Sequence, residues 1–182
     1  MFVIPSPSGA TQINLSARDP RHGERLFVAI TIAASMPHSY VSSIFHVVFS
    51  TKQRRQLIPA GTQTRLWNYL AGIARNHDVQ MLAVGGTENH VHMLLAISPD
   101  TALADAVRTL KANSSRLMRE TSTSFTWQEG YGAFSVSPSQ VERVKRYIAN
   151  QAAHHARHSY EEEFLGMLQA ANIRVEPNRA LG

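Results

Sequence analysis

A chain of 182 residues with 43% hydrophobic and 17% charged side chains has the composition of a folded domain, which excludes a wholly disordered one. Eighteen Lys and Arg against thirteen Asp and Glu leave a net charge of +5, a balance that favours a polyanionic partner such as nucleic acid. With no cysteine, disulfides and thiolate metal sites are excluded, so any metal must be held by histidine, carboxylate or amide groups.

Residues 1–35 read as a separate extension, broken by Pro5, Pro7, Gly9, Pro20 and Gly23 and without a sustained period. The apolar run Leu26 to Ala34 is of signal-like length but begins far from Met1, and no stretch approaches the roughly 20 apolar residues of a membrane span. Met36 is an alternative start, and one domain is expected over 36–182. Ile44-Phe45-His46-Val47-Val48-Phe49 predicts a first strand over 43–50, followed by a basic loop at Lys52, Arg54 and Arg55. After Pro59, the spacing of Leu66, Leu70, Ile73 and His77 predicts a helix with one buried face. Val79 to Val84 reads as a second strand, turning through Gly85-Gly86-Thr87-Glu88 into a third over 89–97. Pro99-Asp100-Thr101 opens a second helix to about Glu120, with Leu103, Val107, Leu110, Ser114 and Leu117 along one side.

A fourth strand is expected from Tyr131 to Ser137. Ser137-Pro138-Ser139-Gln140 then reads as a capped start of a helix running to about His158, with a last helix from Tyr160 to Ala171. The order β-α-β-β-α-β predicts an α+β fold: a ferredoxin-like antiparallel sheet with helices on one face and an added C-terminal helix that carries Tyr147.

Side chains alternate on a strand, so His90 and His92 share a face with Leu94 and Ala96, their Cβ atoms about 7 Å apart. Two ionisable rings in an otherwise apolar strand cost free energy unless they are satisfied, and ligation of a cation satisfies them. His154, His155 and His158 are equally good candidates by residue type alone. Tyr147 and Gln151 are four apart on the predicted helix and share a face, about 6 Å apart.

These blocks resemble the single-tyrosine HUH transposases of small bacterial and archaeal insertion sequences. The resemblance rests on His90-Val91-His92 with Met93-Leu94-Leu95, on Trp127-Gln128-Glu129-Gly130-Tyr131-Gly132, and on Tyr147 with Gln151. It covers nearly all of Pro37 to about Leu168, including Phe45 to Lys52 and Leu110 to Ser115, and leaves residues 1–35 uncovered. It implies that His90, His92 and Gln151 hold a divalent metal, Mg²⁺ or Mn²⁺, and that Tyr147 is the nucleophile. Attack would leave a 5′-phosphotyrosine and a free 3′-hydroxyl on single-stranded DNA with hairpin ends. It further implies a cytoplasmic, nucleoid-associated homodimer whose active sites are shared, with Tyr147 and Gln151 supplied by the partner chain.

Glu88 and His46 are candidates for orienting a ligand, against plainer readings as a turn residue and a satisfied core histidine. Lys52, Arg54, Arg55, Lys111, Arg116, Arg119, Arg143, Lys145 and Arg146 are candidate phosphate contacts, against a solvated charged face. Trp127 and Tyr131 are candidates for stacking on bases, with core packing the rival for Trp127. Two other functions compete. One is an inactive or repurposed DNA or RNA hairpin-binding protein on the same fold; the other is a metal hydrolase using water, with Tyr147 structural.

Overall fold

The structure, a computed structural model, describes residues 40–175, so the expected extension over residues 1–35 lies outside the described residues. Strands β1 (Ile44–Ser50), β2 (Val79–Gly86), β3 (His90–Ile97) and β4 (Gly132–Ser135) form one sheet in the order β2-β3-β1-β4, every neighbour antiparallel. Helix α1 (Ala60–Asn76) joins β1 to β2, and α2 (Leu103–Arg119) joins β3 to β4. Three further helices follow: α3 (Val141–Ala149), α4 (Gln151–His155) and α5 (Tyr160–Ala170). The expected α+β ferredoxin-like arrangement is the one found.

Strand periodicity divides the sheet into two unlike faces. Val47 and Phe49 of β1 and Val91, Met93, Leu95 and Ile97 of β3 pack with Leu66 and Leu70 of α1 and Val107 and Leu110 of α2. Each such aliphatic side chain, fully buried, contributes about 1.5–3 kcal/mol relative to exposure. Trp127 belongs to this core, its ring edge-on to Phe49 and Phe125 and its indole N–H donating to Ser114 Oγ at 3.0 Å, so it is not free to stack on a base. The helix face expected to include His77 stops short of it: His77 caps α1 and is exposed.

The opposite face carries His46 and Val48 of β1 and His90, His92 and Leu94 of β3, all buried. Val48 packs under Tyr160, Phe164 and Leu168 of α5. Two glycines on the edge strands let helices come this close. A Cβ on Gly85 of β2 would stand 2.6 Å from the carbonyl oxygen of Ile148 in α3, and one on Gly132 of β4 would stand 2.5 Å from Phe164 Cε2 in α5. Helices therefore cover both faces: α1 and α2 on one, the added C-terminal set on the other.

The C-terminal helix expected to run unbroken to His158 is interrupted. Pro138–Gln140 is a 3-10 turn, and Asn150, at φ −98° and ψ 16°, separates α3 from α4. Asn is a weak helix former because its side chain competes for backbone groups, and the break turns Gln151 and His155 inward. The capping box expected at Ser137 and Gln140 is not made: Ser137 Oγ faces Ser139 Oγ at 3.0 Å. The box lies instead at the start of α5, where Glu162 N donates to Ser159 Oγ at 3.2 Å and Ser159 N donates to Glu162 Oε2 at 2.8 Å.

Candidate active site

His90 and His92 project from β3 into the space under α3, α4 and α5, and neither is exposed to solvent. His90 Nδ1 lies 2.7 Å from Asn89 Oδ1 and 3.1 Å from Thr87 Oγ1, while its Nε2 lies 3.1 Å from Gln151 Oε1. His92 is held on both sides, with Nδ1 3.0 Å from His46 Nε2 and Nε2 3.2 Å from Glu163 Oε2.

Glu163, buried on α5, joins these groups. The Tyr147 hydroxyl donates to its Oε1, and Gln151 Nε2 donates to the same oxygen at 2.9 Å. Its Oε2 lies 3.1 Å from His155 Nε2, and His154 Nε2 stands 3.6 Å from Oε1. His155 Nδ1–H donates to the His158 carbonyl at 2.8 Å, which fixes that ring.

Burial pushes His46 and His90 down to about 3, and the neighbouring His92 adds to the effect. Burial lowers His92 as well, more than its hydrogen bond to Glu163 raises it. Burial works to raise Glu163, but hydrogen bonding and electrostatics from His92, followed by hydrogen bonds from Tyr147 and Gln151, hold it well below the usual carboxylate range. Tyr147 moves the other way: burial raises it, and the adjacent Glu163 carboxylate raises it further. At neutral pH the cluster is thus one carboxylate, neutral His46, His90 and His92, and a protonated phenol.

The four residues singled out in the sequence, His90, His92, Tyr147 and Gln151, converge within one chain. The 3-10 turn at Pro138–Gln140 folds the chain back, and Gly85 allows α3 to lie against its own sheet. His46 stands against His92. Glu88 does not enter the site: it is exposed, and its backbone carbonyl accepts from Ile58 N at 2.9 Å. The nearby polar partners of His90 are Thr87 and Asn89 instead.

Among the candidate phosphate contacts, Lys52, Arg55, Arg116, Arg119, Arg143 and Arg146 are exposed. Arg54 pairs with Glu161, and Lys145 pairs with Glu142 at 2.8 Å. Lys111 is committed elsewhere, donating at 2.6 Å to the carbonyls of both Gln128 and Gly130, with its ammonium over the Phe49 ring. These bonds tie the 128–130 segment to α2. Tyr131 is 39% exposed and remains available for stacking. Glu163, which joins the cluster, is a residue the sequence reading did not single out. Its signal was its place one helical turn from Tyr160 and beside Phe164, in an apolar register.

The sequence model of the family described as "Transposase IS200 like" matches residues 39–151. The ISDra2 transposase TnpA of Deinococcus radiodurans is 24% identical over 134 residues, covering 69% of this chain and 96% of its own length. The transposase for insertion sequence element IS200 of Salmonella typhimurium is 25% identical over 125 residues, covering 64% of this chain and 82% of that protein. A crystal structure from Deinococcus radiodurans superposes with a TM-score of 0.52 at 25% identity, over 65% of this chain and 98% of that one. A REP-associated tyrosine transposase bound to a REP hairpin shares the fold at a TM-score of 0.51 and 15% identity, over 67% of this chain and 74% of that one. Among the described residues, no helix is long and apolar enough to cross a membrane.

Proposed function

The chain belongs to the IS200-like transposase family, and we propose that it cuts and rejoins single-stranded DNA with hairpin ends through Tyr147. The observation that carries this reading is the seating of the Tyr147 hydroxyl on Glu163, in the same buried cluster as His90, His92 and Gln151. A phenol alone is a poor nucleophile near neutral pH, and here it is oriented by an anion that accepts its proton.

The residues fit a divalent ion. Gln151 is turned by the bond from its Nε2 to Glu163, so its Oε1 faces His90 Nε2 at 3.1 Å. In the tautomer that donates Nδ1–H to Asn89, His90 presents a lone pair there. Two acceptors then face each other, an arrangement that a cation relieves. His90, His92 and Gln151 would hold Mg²⁺ or Mn²⁺, which when bound polarises a scissile phosphate and neutralises the charge that develops on it.

In the proposed step, the Tyr147 oxygen bonds to phosphorus as its proton passes to Glu163 Oε1. The bond from phosphorus to the 3′-oxygen breaks, leaving a 5′-phosphotyrosine and, after protonation, a free 3′-hydroxyl. One phosphodiester replaces another, so a 3′-hydroxyl can reverse the step and join strands without ATP. Each chain uses its own tyrosine in this reading, whether or not two chains associate. Exposed Arg143 and Arg146, on the helix that carries Tyr147, are proposed to contact the backbone of the strand.

The test is to incubate the protein with single-stranded oligonucleotides and Mg²⁺ or Mn²⁺ and to measure its mass. A protein-linked fragment is expected. Cleavage with no linked fragment would replace this reading with hydrolysis by water, and binding with neither would leave a hairpin-binding protein.

A further inference from the structure

Four ligand atoms, one each from His90, His92, His155 and Glu163, all lie within 4.8 Å of one another. Two of these residues, His155 and Glu163, come from α4 and α5, beyond the stretch matched by the family model at 39–151. We infer that Glu163 and His155 bind the divalent ion directly, joining His90, His92 and Gln151, so that the imidazoles and the carboxylate give the centre a preference for Mn²⁺ over Mg²⁺.

Three observations carry this. The first is spacing. Atoms bound to one ion at about 2.1 Å lie about 3–4 Å from one another. Glu163 Oε2 stands 3.1 Å from His155 Nε2, 3.2 Å from His92 Nε2 and 3.8 Å from His90 Nε2. The second is the hydrogen atom of His155. Its Nδ1 faces a backbone carbonyl, that of His158, which can only accept. With Nδ1–H committed to that carbonyl, Nε2 is the atom that can offer a lone pair to a cation, and it stands 3.1 Å from a carboxylate oxygen that can share the same ion. The third is charge. Glu163 is 8% exposed, and the groups hydrogen-bonded or ion-paired to it among the described residues are Tyr147, Gln151, His90, His92, His154 and His155. None is a permanent cation, and a buried anion without one is costly.

The carboxylate is also held in place in advance. The Ser159–Glu162 capping box sets the start of α5, and the contact of Phe164 with Gly132 seats it on the sheet. Mn²⁺, a first-row transition ion, accepts nitrogen as well as carboxylate ligands, whereas Mg²⁺ is held through oxygen ligands and gives up water reluctantly.

The inference rests on the proposed function in taking the cluster for a metal site, and its test reads metal rather than DNA. The metal-free full chain is titrated with Mn²⁺, free ion being followed by electron paramagnetic resonance, and the same titration is repeated in competition with Mg²⁺. Wild type should bind Mn²⁺ more tightly than Mg²⁺. Glu163→Gln and His155→Ala should each lose about 100-fold or more in Mn²⁺ affinity, beyond the ~10–100-fold expected of a residue that only orients a ligand. Pulsed measurements on His155→Ala should show the modulation of one imidazole nitrogen fewer. If Glu163→Gln fails to fold by circular dichroism, His155→Ala, altered on a half-buried ring, carries the same comparison. A loss of Mn²⁺ affinity below about 100-fold in the folded variants, or a wild-type preference for Mg²⁺, overturns the inference. Unchanged metal affinity in the variants, with wild type still forming DNA adducts, would sink it while leaving the transposase reading intact. Loss of affinity in the variants with no adduct in wild type would do the reverse.

Discussion

Gly85→Ala separates a tyrosine held on its own chain's sheet from one delivered by another chain. Gly85 pairs with His92 across the sheet, and α3 crosses β2 at this point. An added Cβ would lie 2.6 Å from Ile148 O and 3.1 Å from Ile148 Cγ2. An ordinary contact needs about 3.5 Å, so α3 must withdraw by about 0.9 Å. The strain should cost about 1–3 kcal/mol. Tyr147 immediately precedes Ile148, and a displacement near 1 Å at a reacting group costs about 100-fold in rate. Gly85→Ala should therefore form adduct about 30–100-fold more slowly while remaining folded at 25 °C. Gly72→Ala is the control: no atom lies within 4 Å of its Cβ position in α1, so it should gain about 0.5–1 kcal/mol and keep its rate. The measurements are single-turnover adduct formation and thermal unfolding. A Gly85→Ala protein with wild-type rate and melting temperature would refute the placement of α3.

Tyr147→Phe should abolish adduct formation and retain DNA binding, at a stability cost of about 1.5–3 kcal/mol for the lost hydrogen bond to a charged group; residual covalent linkage would move the nucleophile to another residue. Mixing Tyr147→Phe with His90→Ala chains should yield no activity, because every chain then lacks part of its own site, and recovered cleavage would show that sites are shared. His46→Ala should weaken metal binding by about 10–100-fold by removing the group that faces His92 Nδ1, and an unchanged titration would leave His46 a packing residue. The metal-free protein should lose stability on acidification. His46 and His90 are held near 3 when folded against 6.5 when unfolded, so the unfolded chain binds more protons between those values and stability falls as pH drops through that window. At pH 5 the loss is about 2 kcal/mol per ring relative to pH 8. Glu163, depressed below 4.5, adds a further loss as pH falls past that value. A urea midpoint that stays flat from pH 8 to 5 would contradict the burial of these rings.

Most of the sheet could be read directly because its signals are local. Alternation in His90 to Ile97 assigns each residue to a face, and the observed core follows that assignment through Val91, Met93, Leu95 and Ile97. The helical spacing of Leu66, Leu70 and Ile73 does the same for α1. The C-terminal third was harder because its outcome depends on tertiary contacts. Residues 137–158 have helical character throughout, and only a neighbour's demand for Gln151 and His155 decides that the helix should break at Asn150. Gly85 looked like a hairpin glycine; that it also admits α3 depends on Ile148, far away in sequence.

The same distinction explains the site. His90 and His92 stand out because two polar rings interrupt an apolar strand, and such an interruption needs a reason wherever the strand lies. Glu163 sits in Glu161-Glu162-Glu163, where acids at the first turn of a helix are expected for their favourable interaction with its dipole. Burial tells the three apart. Tyr160, Glu163, Phe164 and Leu168 form the inward stripe of α5, leaving Glu161 and Glu162 toward solvent. A carboxylate in an apolar stripe is the same kind of anomaly as a histidine in an apolar strand, since each costs free energy unless a partner answers it. Read together, the anomalies at His90, His92, Gln151, His155 and Glu163 point to one another. The physical case for the site is that these unfavourable burials answer one another only in part, through the bonds at Glu163, and that the proposed cation would answer the rest.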